Sequence, residues 1–73
     1  MMAAVQAAFS RVLGHEVLIR EDTPVNTFGP WLDIAVLVAA ALKESTGIAL
    51  LDAQLTSAQD AGDLATSLEA NKV

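Results

Sequence analysis

The stretch from Trp31 to Leu42 restricts the possible folds more than any other part of the sequence, because Asp33 is its only polar residue. The apolar run inside it, Ile34 to Leu42, has 9 residues and is rich in Ala, which favours a helix. A membrane-spanning helix needs about 20 such residues, so we expect no membrane span. A surface helix normally has a polar face. This helix therefore requires either burial on nearly all sides or a protein that covers it.

Length and composition predict a single small domain over residues 1–73, with 53% apolar residues to form a core. There is no Cys and only one His, so we expect neither disulfides nor a metal centre. The net charge of −5 argues against nucleic acid, whose phosphates require Lys and Arg. Such acidity suits basic protein partners, or it simply maintains solubility. No secretory signal is recognisable, and we expect a soluble, cytoplasmic protein.

Apolar periodicity and the positions of Gly and Pro predict four helices. Gly14 and Gly47 are the expected ends of the first two helices, since Gly readily takes the left-handed conformation that ends helices. Asp60 is the expected N-cap of the last helix, and residues 69–73 are expected to fray. The predicted helices cover Met2 to Leu13, Pro30 or Trp31 to about Ser45, Asp52 to Ser57, and a last segment that begins after Asp60.

The connection over residues 14–30 is long for a small domain, and loops of this length are uncommon unless they are packed or functional. Its apolar residues Val17, Ile19, Val25 and Phe28 are expected to pin it to the helices. Gly62 lowers the stability of the last helix relative to Ala, so we expect another segment to approach it closely. The fold class predicted is all-α: a small irregular four-helix bundle with a long first loop.

This arrangement resembles the acyl and peptidyl carrier proteins over nearly the whole chain. The segments "VQAAFSRVLG" and "EDTPVNTFG" are similar to the first helix and loop of that family. The segments "LDIAVLVAAALKESTGIAL" and "DAGDLATSL" are similar to its second helix and to the start of its last helix. The resemblance implies an acyl-carrier-protein-like fold and, in ordinary members, a phosphopantetheine arm attached to a Ser.

The attachment site of the family is missing from this sequence. Carriers have Asp-Ser-Leu at the start of the second helix, whereas Trp31 or Leu32 takes the Ser position here, depending on the alignment. Neither side chain has an oxygen that could form the phosphodiester. The hydroxyls of Ser10, Thr27 and Ser45 do not lie at a helix start followed by Leu. No cofactor is therefore predicted, although the family would imply phosphopantetheine.

In carriers the second helix meets partner enzymes through acidic residues, whereas the corresponding positions here are Ala, Val or Leu. The Ser of carriers points outward, so a Trp in its place would point outward too, and we interpret Trp31 as an exposed contact residue. The alternative is that Trp31 folds back into the core. The predicted partner-binding residues are Trp31, Leu32, Asp33 and Val36.

The first functional hypothesis is a non-catalytic docking module, a pseudo-carrier that binds enzymes of a fatty-acid, polyketide or nonribosomal-peptide type pathway. The second is a true carrier with an unusual attachment site, and the third is a dimerisation or scaffold domain, which would make the chain a homodimer. We do not expect an enzyme. The sequence spacing suggests no Ser or Cys nucleophile as a partner for His15. Glu21 and Asp22 lie in a loop, and the chain is too small to enclose them in a catalytic cleft.

Overall fold

The computed structural model describes residues 1–72, and over these residues the chain has the predicted all-α, four-helix fold. Within that range there is no β-strand, and Pro24 and Asp60 form an isolated bridge. The second helix ends at Thr46, one residue later than predicted. The helices are α1 (Met2–Leu13), α2 (Trp31–Thr46), α3 (Asp52–Ser57) and α4 (Ala61–Asn71).

Gly14 and Gly47 end α1 and α2 as predicted. Their φ angles are 79° and 75°, in the left-handed region where a side chain is strained. The amide of Gly14 donates to the Ser10 carbonyl at 3.0 Å, and that of Gly47 donates to the Lys43 carbonyl at 2.8 Å. These bonds satisfy carbonyls that the last turn of each helix would otherwise leave free.

The core lies where one face of each helix meets the others, and its largest fully buried side chains come from α1, α2 and α4. No polar or charged residue among residues 1–72 is buried with them. Each of these side chains contributes about 1.5–3 kcal/mol relative to an exposed position. They are Val5, Phe9, Val38, Leu42, Leu64 and Leu68.

The long connection between α1 and α2 is packed, as its apolar residues predicted. Val17, Ile19 and Val25 are buried, and the Phe28 ring lies 5.9 Å from the Phe9 ring, centroid to centroid. Side chains of α1 also bind its backbone, because Ser10 Oγ accepts from the amide of Val17 at 3.1 Å. This loop is therefore a structural element of the domain.

The same connection covers the first turn of α4. The amide of Ala61 donates to the Thr23 carbonyl at 2.9 Å, and that of Gly62 donates to the Glu21 carbonyl at 2.8 Å. A Cβ at Gly62 would lie 2.8 Å from that same Glu21 oxygen, which is too close. The predicted close approach at Gly62 is confirmed, and the approaching segment is the first loop.

The end of α4 is more ordered than predicted, because the helix continues to Asn71. The Asn71 amide donates to the Ala49 carbonyl at 3.0 Å and to Gln54 Oε1, while Gln54 Nε2 donates back to Asn71 at 3.1 Å. These bonds hold the last turn against α3 and the segment before it. Val73, the last residue of the predicted frayed segment, lies outside the described residues.

Candidate functional site

The start of α2 is the point at which the structure corrects the predicted site. Trp31 is only 8% exposed, so its interpretation as an outward contact residue is wrong. Its ring stacks on Phe9, with centroids 6.0 Å apart and an interplanar angle of 18°. Its indole Nε1–H donates to the Leu55 carbonyl at 2.7 Å. Trp31 therefore ties α2 to α1 and α3, as in the alternative that placed it in the core.

The helical period explains why Trp31 points inward. Trp31, Ala35, Val38 and Leu42 lie at i, i+4, i+7 and i+11, which places them on one face of α2, and all four are buried. This spacing could have identified the orientation of Trp31 from the sequence. The match of Trp31 to the family Ser favoured the opposite orientation, because that match takes no account of which face of α2 the residue lies on.

The exposed face of α2 is apolar, as predicted. Leu32 and Val36 are each 69% exposed, and Leu37 is 56% exposed. Ala40 continues the same face one turn after Val36 and is also exposed. We call Leu32, Val36, Leu37 and Ala40 the outer stripe. It consists mainly of large exposed aliphatic side chains on one helix, which is the usual composition of a recognition surface rather than of a reaction site.

Charged residues lie at both ends of the outer stripe. Asp33 is exposed in the first turn of α2, where its charge complements the helix dipole. Lys43 and Glu44 are exposed at the other end. Glu44 forms an ion pair with Arg11 of α1, with 3.0 Å between the charged atoms. Of the predicted partner-binding residues, the structure thus brings Leu32, Asp33 and Val36 together on one exposed face and removes Trp31 from it.

A shallow groove extends the outer stripe towards α1. It is open and has a volume of about 260 Å³. Leu37 and Ala40 form its side on α2, and Val12 and Arg11 form its side on α1. The groove widens the surface that a partner could contact beyond one helix.

The hydroxyls considered as alternative attachment points all bind backbone groups. Ser10 Oγ accepts from the amide of Val17, Thr27 Oγ1 donates to the Pro24 carbonyl at 2.7 Å, and Ser45 Oγ donates to the Leu42 carbonyl at 3.3 Å. None of the three lies at the start of α2. His15 is exposed after α1, with its ring Nδ1 3.3 Å from the Glu16 carbonyl oxygen.

A second surface feature is an acidic depression of about 540 Å³, formed by α4, the first loop and the start of α1. Its chemistry is opposite to that of the outer stripe, since carboxylates surround it and α2 takes no part in it. The acidic residues along it are Glu21, Asp22, Asp60, Asp63 and Glu69.

No family model, no curated protein and no solved structure matches this chain. Along residues 1–72, no helix combines the length and the apolar character that crossing a bilayer requires. The same residues include no group of three or more His, Cys, Asp or Glu side chains that could hold a metal ion.

Proposed function

We propose that this protein is a carrier-protein-like domain without a phosphopantetheine arm, which acts as a non-catalytic docking module for enzymes of an acyl-chain pathway. The observation that supports docking most directly is the outer stripe of α2, with Leu32 and Val36 each 69% exposed. The pathway, of fatty-acid, polyketide or nonribosomal-peptide type, is implied by the resemblance alone. A cytoplasmic location is part of the same proposal.

The apolar character of the outer stripe favours a protein partner. Burial of about 400 Å² of apolar surface would contribute roughly 10 kcal/mol before the costs of association are subtracted. Scattered exposed apolar residues need no explanation, but Leu32, Val36 and Leu37 are three large exposed aliphatic side chains close together on one helix. A partner would therefore present an apolar recess along α2, with a basic group close to Asp33.

The burial of Trp31 supports the absence of an arm. In one alignment Trp31 replaces the family Ser, and its ring is packed against Phe9 where no arm could leave the protein. In the other alignment Leu32 replaces it, at an exposed position that has no oxygen. Either way, the start of α2 offers a surface to contact and no group to modify.

Intact mass after coexpression with a promiscuous phosphopantetheinyl transferase tests the absence of an arm. We expect the unmodified mass, with an ordinary carrier in the same cells gaining one phosphopantetheine. A mass increase on this chain would overturn the proposal in favour of a true carrier, and peptide mapping would then identify the modified hydroxyl.

A gain-of-function variant tests the resemblance itself. Pro30→Asp combined with Trp31→Ser recreates the Asp-Ser-Leu order at the start of α2, and we expect the transferase to load it. Because the loss of Trp31 weakens the core, Leu32→Ser combined with Asp33→Leu provides a second variant that keeps the ring in place and has a Ser followed by Leu. Folding of each variant is checked by circular dichroism. Folded variants that both stay unmodified would contradict the relationship to carriers.

Docking is tested by titration against purified carrier-dependent enzymes, such as a ketosynthase, an acyltransferase and a phosphopantetheinyl transferase. We expect saturable binding to at least one of them, lost in Val36→Lys and retained in Leu51→Lys. Leu51 is a matched control because it is 64% exposed but lies outside α2. Absence of binding to all three, or equal loss in both variants, would contradict docking through the outer stripe.

A further inference from the structure

The charges at the two ends of the outer stripe have opposite signs. Asp33 lies at the N-terminal end, and Lys43 lies at the C-terminal end beside the Arg11–Glu44 ion pair. Asp33 and Lys43 are ten positions apart, which is about 15 Å along a helix axis. Between them, the exposed side chains of α2 are Val36, Leu37 and Ala40, all apolar.

From this pattern we propose that the outer stripe packs against the outer stripe of a second copy of this chain, with the two α2 helices antiparallel. A two-fold axis at the level of Val38 places Asp33 level with Lys43 of the second copy. The same axis places Val36 level with Ala40 of the second copy. The small Ala40 side chain lets the helices approach within the usual 8–10 Å or so, while Val36 fills the space above it.

Charge selects this orientation over the parallel one. Parallel helices in register would bring Asp33 beside Asp33 and Lys43 beside Lys43, and their dipoles would repel. The antiparallel pair has two Asp33–Lys43 contacts, one on each side of the axis, because a two-fold interface repeats every contact. Such an interface is closed, so it stops at a dimer and leaves no second stripe exposed.

The size of the surface predicts a weak dimer. Sixteen residues of α2 make a helix about 24 Å long. One face of such a helix buries less than the roughly 800 Å² per partner that stable dimers need. We therefore expect the fraction of dimer to rise and fall reversibly with protein concentration, in the range of about 10 µM to 1 mM.

Sedimentation velocity across that range tests the self-association on the isolated chain. We expect a reversible shift from monomer to dimer, abolished by Val36→Lys and retained in Leu51→Lys. A chain that stays monomeric throughout, or one whose dimer is weakened equally by both substitutions, would overturn the proposal.

Charge exchange tests the orientation. Asp33→Lys and Lys43→Asp should each weaken the dimer roughly tenfold, because each creates two like-charge contacts. An equimolar mixture of the two variants should dimerise again, since every Lys then meets an Asp across the interface. No recovery in the mixture would overturn the antiparallel arrangement. So would a stronger dimer of Asp33→Asn, which relieves repulsion only in a parallel pair.

This inference places a second copy on the same outer stripe as the proposed docking, so the two compete for one surface, but they are tested separately. Self-association is measured without any other protein, and docking is measured with the chain well below the concentration at which it dimerises. A monomeric chain that still binds a carrier-dependent enzyme would remove the dimer and leave docking. A dimer that binds no such enzyme would overturn docking and support self-association.

Discussion

The starts of α2 and α4 are fixed in different ways. At α4, Asp60 Oδ1 accepts from the Asp63 amide at 2.9 Å, and Asp63 Oδ2 accepts from the Gln59 amide at 2.9 Å. At α2 the N-cap is Pro30, whose side chain forms no capping bond, and the first helical residue is Trp31, held by Phe9 and Leu55. The start of α4 thus combines side-chain caps from neighbouring residues with the backbone bonds of the first loop. The start of α2 has no capping side chain and depends on the distant contacts of Trp31.

The largest expected effect comes from removing the distant contacts at α2. Trp31→Ala should lower the free energy of unfolding by about 3–5 kcal/mol, because it empties a stacked, buried ring site. Urea unfolding followed by circular dichroism measures this change. The matched control is the exposed neighbour: Leu32→Ala should change the free energy by less than about 0.5 kcal/mol. Equal effects of the two substitutions would contradict the inward orientation of Trp31.

A smaller effect is expected where the first loop crosses α4. Gly62→Ala gains about 1 kcal/mol of helix propensity. It also forces a Cβ against the Glu21 carbonyl oxygen, and such overpacking costs about 1–3 kcal/mol. We expect a net destabilisation of up to roughly 2 kcal/mol in urea unfolding. Stabilisation by Gly62→Ala would show that the loop does not press on this helix.

The local cap at α4 should contribute less. Asp60→Ala removes the acceptor for the Asp63 amide and should lower the free energy of unfolding by about 1 kcal/mol. Asp60→Asn keeps an acceptor oxygen and should retain most of that stability. If Asp60→Asn unfolds at no higher a temperature than Asp60→Ala, Asp60 does not stabilise the protein by capping α4.

The smallest effect is expected from giving α2 the kind of cap that α4 has. Pro30→Ser supplies a capping oxygen, which contributes about 1 kcal/mol. The loss of Pro also raises the conformational entropy of the unfolded chain, which lowers the free energy of unfolding by about 0.4–1 kcal/mol. The net change in thermal unfolding should therefore be close to zero. A gain of about 1 kcal/mol or more would mean that Trp31 does not suffice to fix the helix start.

The same contrast explains which features the sequence could predict. Helix ends at Gly14 and Gly47 and the cap at Asp60 depend on residues within a few positions, so local rules identified them. The exposure of Leu32 and Val36 was expected from the resemblance to the second helix of carriers, and both side chains are 69% exposed. The last turn of α4 depends on the contact of Asn71 with Ala49, 22 residues away, so local rules expected it to fray.

The contacts of Trp31 could not be predicted from local rules, although its orientation could. Its hydrogen-bond acceptor is 24 residues later in the chain, and its stacking partner lies in α1. Apolar spacing along α2 contained the correct orientation, but a single position compared with a family motif did not. Candidate contact residues on a helix are better chosen by face than by position.

The burial of Trp31 also gives the protein an optical probe. Trp31 is the only Trp, and its indole touches α1 and α3 from the start of α2. Its fluorescence therefore reports whether three helices remain assembled, through the shielding of the ring from water and from added quenchers. The outer stripe lies on the opposite face of the same helix, so a partner bound there would leave that shielding unchanged. Emission from one residue can thus separate a variant that fails to fold from one that folds and fails to bind.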